Sequence, residues 1–276
     1  MKFTPRALPT EAADASRGHD RHPLRELALL TAGIGVICAV IYLVAALIAD
    51  LVVQRISYAT EARLFNSFSS ALAAPKTLPP ELEERRAQAE RLLTKLTPHA
   101  GLTGLPVRLV VWDRSDTNAF ALPGGTVAVT TGLLRCLDTD AGLAFVLGHE
   151  LGHFHGRDHL RGFGRRLSFQ IVTALLFSSS GEVQLGASQL GQLATLAYSR
   201  QREAAADHFA VKLMHDALGS GAGATELFEH LGERDLPGWA YMFNSHPATA
   251  ERLTALRRYA EALRSGTNAA PATSVR

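Results

Sequence analysis

His149-Glu150-Leu151-Gly152-His153 is the stretch on which the reading of this chain turns. Residues four apart on a helix lie one above the other on the same face. His149 and His153 can therefore share one divalent cation, Zn²⁺ above all. Glu150 sits about 100° round the helix, where its carboxylate can reach a water at the metal without ligating the metal. The spacing H-E-x-x-H is that of a metal-binding helix that carries its own general base. A plain helix with two surface histidines would have the same letters. The flanks argue against it, because Leu143-Ala144-Phe145-Val146-Leu147 and Leu151 make the helix apolar on much of its surface. Histidine and glutamate buried there without partners would be costly.

Working outward, the chain has 276 residues, 47% of them hydrophobic, enough for one sizeable core plus an extra element. The formal net charge is +2, and no long basic run with interleaved aromatics occurs, so nucleic acid is not an expected partner. Only Cys38 and Cys136 are present, with no Cys-x-x-Cys. That rules out a disulfide framework and leaves zinc to be held by histidine and carboxylate.

The second informative run is 27–49, Leu27 to Ala49, which carries no charge and is bounded by Glu26 and Asp50. At about 1.5 Å per residue it can cross a hydrocarbon core of about 30 Å with some tilt. It is too long for the apolar part of a signal peptide. Lys2, Arg6, Arg17, Arg21 and Arg25 precede it, whereas only Arg55 and Arg63 follow closely. The positive-inside rule then puts the N-terminus in the cytoplasm and the bulk of the chain outside.

Beyond the span, residues 50–78 read as a juxtamembrane amphipathic helix running into an Ala/Pro linker, and a charged helix is expected from Pro80 to about Leu96. Three short strands are expected at Val107–Trp112, Ala119–Leu122 and Thr126–Thr130, with Gly124-Gly125 as the turn between the last two. The pattern is helical from about Asp138. One helix carries His149 and His153, another runs from about Ser188 to Leu218, and a last one from about Pro247 to Leu263. Leu167–Phe177 is too short to span a bilayer and reads as a core or membrane-surface helix.

A catalytic zinc needs a third protein ligand and an open position, and two candidates stand in the sequence. His159 completes H-E-x-x-H-x-x-G-x-x-H from His149, the signature of the metzincin peptidases, in which the helix breaks at the glycine, here Gly156. Glu203 lies in Glu203-Ala204-Ala205-Ala206-Asp207, where the glutamate and aspartate share a helix face and the alanines admit a close neighbour. Asp207 would then accept the free imidazole N–H of a ligating histidine.

Five segments occur in order: Asn118–Gly125, Thr130-Thr131-Gly132-Leu133-Leu134, His149–His153, Glu203–Asp207 and Ser245-His246-Pro247. Together, over roughly residues 80–260, they closely resemble the HtpX-like and CAAX-prenyl-protease-like zinc metallopeptidases, peptidase family M forty-eight. The resemblance implies an α+β, mainly α, zincin-like peptidase domain, with a small sheet edge beside the H-E-x-x-H helix and one transmembrane helix before it. It implies Glu203 as third zinc ligand beside His149 and His153, and His246 as the oxyanion donor or as a fourth donor in a resting state. It also implies that Asn118, Ala119 and Phe120 of an edge strand receive the substrate as an added strand, with Arg252 facing the site. Many relatives carry several membrane spans, whereas this sequence has one clear span.

The domain reading is then a disordered cytoplasmic segment at 1–26, a transmembrane helix at 27–49, a juxtamembrane helix and linker at 50–79, the peptidase domain at 80–265 and a disordered tail at 266–276. The expected activity is a zinc endopeptidase anchored in the inner membrane, its catalytic domain extracytoplasmic and Glu150 its general base, cleaving misfolded or membrane-associated proteins. Its partners would be flexible polypeptides and the lipid bilayer. The rival readings are a chaperone-like binding module on the same scaffold and a metzincin that uses His159.

Overall fold

The computed structural model describes residues 23–72, 78–137, 139–177, 199–221, 224, 246 and 250–265. The chain divides into two compact units, 1–45 and 46–276. In the first, the described residues belong to helix α1, Pro23–Val53, which continues into the second unit. Its Leu27, Leu30, Ile34, Ile37, Ile41 and Val44 are all exposed. Among the described residues it is the one helix long and apolar enough to cross a membrane. The helix extends past the uncharged run at both ends, because Arg25, Glu26 and Asp50 are compatible with helical backbone and the first turn comes at Gln54-Arg55.

The second unit opens with two short helices, α2 (Tyr58–Leu64) and α3 (Asn66–Leu72). The single juxtamembrane helix expected from the sequence is therefore divided. Ser57 caps α2, its hydroxyl accepting from Thr60 N at 3.1 Å, and the chain turns at Phe65 (φ −105°, ψ 12°). Helix α4 follows over Pro80–Leu96, with proline in its first turn, where a missing N–H costs nothing.

Three strands come next: β1 (Arg108–Trp112), β2 (Ala119–Leu122) and β3 (Thr126–Thr130). Their order is β1-β3-β2, with β1 parallel and β2 antiparallel to β3, so β2 lies at the edge of this sheet. Gly124 (φ 84°) and Gly125 (φ 80°) both take the left-handed conformation that turns β2 into β3.

Helix α5, Thr131–Cys136, was not legible beforehand. It is nucleated by Thr130, whose hydroxyl accepts from Leu133 N at 3.1 Å. Helix α6, Asp140–His155, carries the H-E-x-x-H motif and is capped by Thr139. Leu143, Leu147, Leu151 and Phe154 are fully buried on it, each worth roughly 1.5–3 kcal/mol against exposure. Helix α7 runs over Asp158–Phe177, so the apolar stretch from Leu167 is the second half of a longer helix.

Helix α8 spans Arg200–Leu218 and begins later than expected, because the Ser199 side chain caps it by accepting from Arg202 N. Residues 188–198 of the expected helix lie outside the described residues, as do 247–249 ahead of the last helix, α9 (Ala250–Arg264).

Helix α6 packs on α8, on α4 and on β2. The α6–α8 approach is close because glycines face alanines across it. A Cβ at Gly152 would sit 2.9 Å from Ala206 Cα, and one at Gly148 would sit 3.3 Å from Ala210 Cα. Ala206, the last of the three alanines after Glu203, and Ala210 thus face the glycines of α6 and bring the two motif helices almost backbone to backbone.

Candidate active site

That approach brings four buried side chains to one point. His149 and His153 come from α6, Glu203 from the first turn of α8, and His246 from the segment before α9. One ligand atom from each lies within 4.8 Å of all the others. His149 Nε2 is 3.1 Å from His153 Nε2 and 3.2 Å from His246 Nδ1. The Glu203 carboxylate lies 3.0 Å from His246 Nδ1, 3.5 Å from His149 Nε2 and 3.6 Å from His153 Nε2.

This donor set fits a metal ion. Ligand bonds of about 2.0–2.1 Å in a tetrahedral arrangement separate the donors by about 3.3 Å, in the middle of the observed range. Several imidazole nitrogens converging on one another in a dry site repel through their lone pairs unless a proton or a cation lies between them. Glu150 sits beside the cluster, its Oε1 3.7 Å from His246 Nε2. Its Oε2 is buried and has no hydrogen-bond partner among the described residues. A buried oxygen without a partner is costly, and here it stands where a reacting water or amide would need an acceptor.

The electrostatics point the same way. Burial works to lower the His149 imidazole, but hydrogen bonds and charge from Asp207 and Glu203 outweigh it and push its pKa up to about 10. Burial also lowers His153, and the partly opposing Asp158 does not reverse this. Burial would raise the Glu203 carboxyl, but its bonds to His149 and His246 hold it far below the ordinary carboxylate range. A proton on His149 thus offsets the carboxylates, and a bound cation would take that proton's place.

Further groups hold the ligands in position. Asp207 Oδ1 lies 2.9 Å from His149 Nδ1, and Asp158 Oδ2 lies 3.1 Å from His153 Nδ1. Each imidazole therefore has a carboxylate behind it, and the one behind His153 is hydrogen-bonded to it, which fixes that ring. Asp158 was missed in the sequence. The only available signal was its closeness to the motif, and its role depends on a backbone turn that the letters do not reveal.

Arg252, expected to face the site, lies against its carboxylates. Its buried guanidinium forks onto Asp207 (2.7 and 2.8 Å), lies 3.0 Å from Glu203 Oε2 and donates to the His246 carbonyl at 3.3 Å. It braces the carboxylates from behind the cluster, because a desolvated guanidinium is held most strongly by paired carboxylates.

His159 lies outside the cluster. Helix α6 stops at His155, Arg157 takes a left-handed turn (φ 59°), and α7 starts at Asp158. His159 is carried to the far side, where its Nε2 donates to Glu61 Oε1 at 2.8 Å. The helix does break near Gly156, yet the break turns His159 away from the cluster of His149, His153, Glu203 and His246. Asn118, Ala119 and Phe120 are all buried. Asn118 precedes β2, and its Oδ1 accepts from Ala119 N at 2.9 Å. Phe120 lies beside Trp112, with ring centroids 5.7 Å apart.

Comparison with known proteins agrees with this geometry. A family model described as Peptidase family M48 matches residues 83–260. The chain is 34% identical to Metalloprotease LoiP of Escherichia coli (strain K12) over 161 residues, which is 56% of this chain and 64% of that protein. It is 34% identical to Metalloprotease YcaL of the same organism over 186 residues, 64% of this chain and 72% of that one. It is 30% identical to Mitochondrial metalloendopeptidase OMA1 of Arabidopsis thaliana over 151 residues, 55% of this chain but 31% of that longer protein. The chain belongs to peptidase family M48, the zinc metallopeptidases that its motifs resemble.

Proposed function

We propose that the protein is a membrane-anchored zinc endopeptidase that hydrolyses exposed peptide bonds in flexible or misfolded polypeptides. The observation that carries this reading is the convergence of His149, His153, Glu203 and His246 with the Glu150 carboxylate beside them. Zn²⁺ held by His149, His153 and Glu203 would act as a Lewis acid, polarising a peptide carbonyl and lowering the pKa of a water toward neutrality.

The chain's own residues do the rest. Glu150 takes a proton from the attacking water and passes it to the leaving amine, so one peptide bond gives one acid and one amine. Asp207 and Asp158 keep His149 and His153 in register, and Arg252 pairs with the Asp207 and Glu203 carboxylates and holds them in place. His246 is a fourth donor in the observed arrangement; displaced by substrate, it donates a hydrogen bond to the developing oxyanion. The edge strand β2, with Asn118 before it, pairs with an extended substrate through its main chain, which favours unfolded segments over any one sequence.

The apolar helix supports anchoring in a bilayer, and the arginine balance around it supports a catalytic domain outside the cytoplasm. A reporter enzyme active only outside, fused after Arg276, would be active under this orientation.

The test of the activity is casein hydrolysis by the full chain and by its Glu150→Gln variant. The expected result is a rate lower by about 10²–10⁴ in the variant with zinc retained. Undiminished cleavage would remove Glu150 as base. Binding without cleavage in both proteins would favour the chaperone-like module.

A further inference from the structure

His159 resembles a metal ligand in sequence, yet it belongs to a second buried polar cluster built around Glu61. Glu61 lies on α2, outside the residues 83–260 that the family model matches. Its carboxylate is fully buried. It accepts from Arg157 Nη1 at 2.7 Å, from His159 Nε2 at 2.8 Å and from the backbone N–H of Gly124 at 3.0 Å. These donors come from three places: the corner between α6 and α7, the first turn of α7, and the β2–β3 turn. The Arg157 guanidinium also lies over the Tyr58 ring, 3.5 Å from its centroid.

From this geometry we infer that Glu61 is a positioning residue for the metal site, acting from the segment between the membrane helix and the peptidase domain. The inference rests on the metallopeptidase reading above. Arg157 is the one non-glycine residue with positive φ among the described residues, a conformation that its Cβ disfavours. Its side chain is held by the Glu61 ion pair and the Tyr58 ring on one side of the corner. The next residue is Asp158, whose carboxylate stands behind His153. Glu61 therefore holds the corner, the corner aims Asp158, and Asp158 orients a ligand. Through Gly124 the same carboxylate fixes the turn that sets the end of the edge strand. Helix α2 begins five residues after α1 ends, so a shift of this segment reaches both the metal side and the strand side of the cleft.

The experiment measures zinc affinity by chelator competition, and kcat on unfolded casein, using the full chain in detergent at a temperature where all variants are folded. Glu61→Gln keeps the shape but loses the charge, and is expected to bind zinc about 10- to 100-fold more weakly and to lose kcat. Glu61→Asp, which keeps the charge, should recover part of both. Position 157 gives an independent contrast should Glu61→Gln fail to fold. Arg157→Gln and Arg157→Gly both lose the ion pair, but glycine adopts the left-handed corner without strain, so Arg157→Gly should hold zinc more tightly than Arg157→Gln. Equal zinc affinity and kcat in Glu61→Gln and the parent, or equal affinity in the two Arg157 variants, overturns the inference. A parent chain that binds no zinc overturns the metallopeptidase reading beneath it.

Discussion

At the scale of single residues, the chemistry follows from a few buried charges whose partners are all close by. Glu61 has the simplest titration, because it stands apart from the metal ligands. Burial would raise its carboxyl, but the His159 hydrogen bond and charge, the Gly124 N–H and Arg157 together hold it below its ordinary value of 4.5. A depressed carboxylate adds stability that is complete above its unfolded pKa and is lost as the pH falls through the folded one. Glu61→Gln should therefore melt well below the parent at neutral pH, by about 3 kcal/mol in stability, and the gap should close on acidification below 4.5. Melting temperature against pH for the two proteins checks this; a gap that stays constant would mean that Glu61 acts through packing. The convergence of His149 and His153, with Glu150 beside them, was legible because a spacing of four residues on a helix is a geometric fact that the letters carry. His159 was ambiguous for the same reason, since the letters match a second signature. Only the left-handed Arg157 decides where His159 points, and no spacing rule announces a positive φ at an arginine.

At the scale of elements, the site depends on how closely two helices approach. Gly152 faces Ala206 and Gly148 faces Ala210, and only the first contact is too tight for a Cβ. Gly152→Ala should cost about 1–3 kcal/mol from overpacking and should push α8, with Glu203, away from α6. Gly148→Ala, at 3.3 Å rather than 2.9 Å, should cost clearly less. Thermal melting with zinc content orders the two, and a Gly148 variant that is the worse of the pair would contradict the packing account. Strands β2 and β3 were legible because apolar β-formers flank a Gly-Gly turn. Helix α5 was not, because six residues carry too little periodicity and its start depends on the Thr130 side-chain cap. The turn at Phe65 between α2 and α3 was hidden in the same way, since nothing in the residue types there forbids helix.

At the scale of the whole molecule, the sequence divides into an apolar helix with no core of its own and a peptidase unit closed around α6. Both were legible from hydrophobicity and motif order. The Glu61 cluster within the peptidase unit was not, because Glu61 is 63 to 98 residues from Gly124, Arg157 and His159 in sequence and meets them only in the folded chain. The central claim is that one metal ion is held by two helices, His149 and His153 on one and Glu203 on the other. The most direct test is zinc bound per chain in the purified full-length protein, in Glu203→Ala and in His159→Gln, which keeps a donor for Glu61. The account predicts one zinc per chain in the parent and in His159→Gln, and a large loss in Glu203→Ala. Zinc retained by Glu203→Ala and lost from His159→Gln would contradict it.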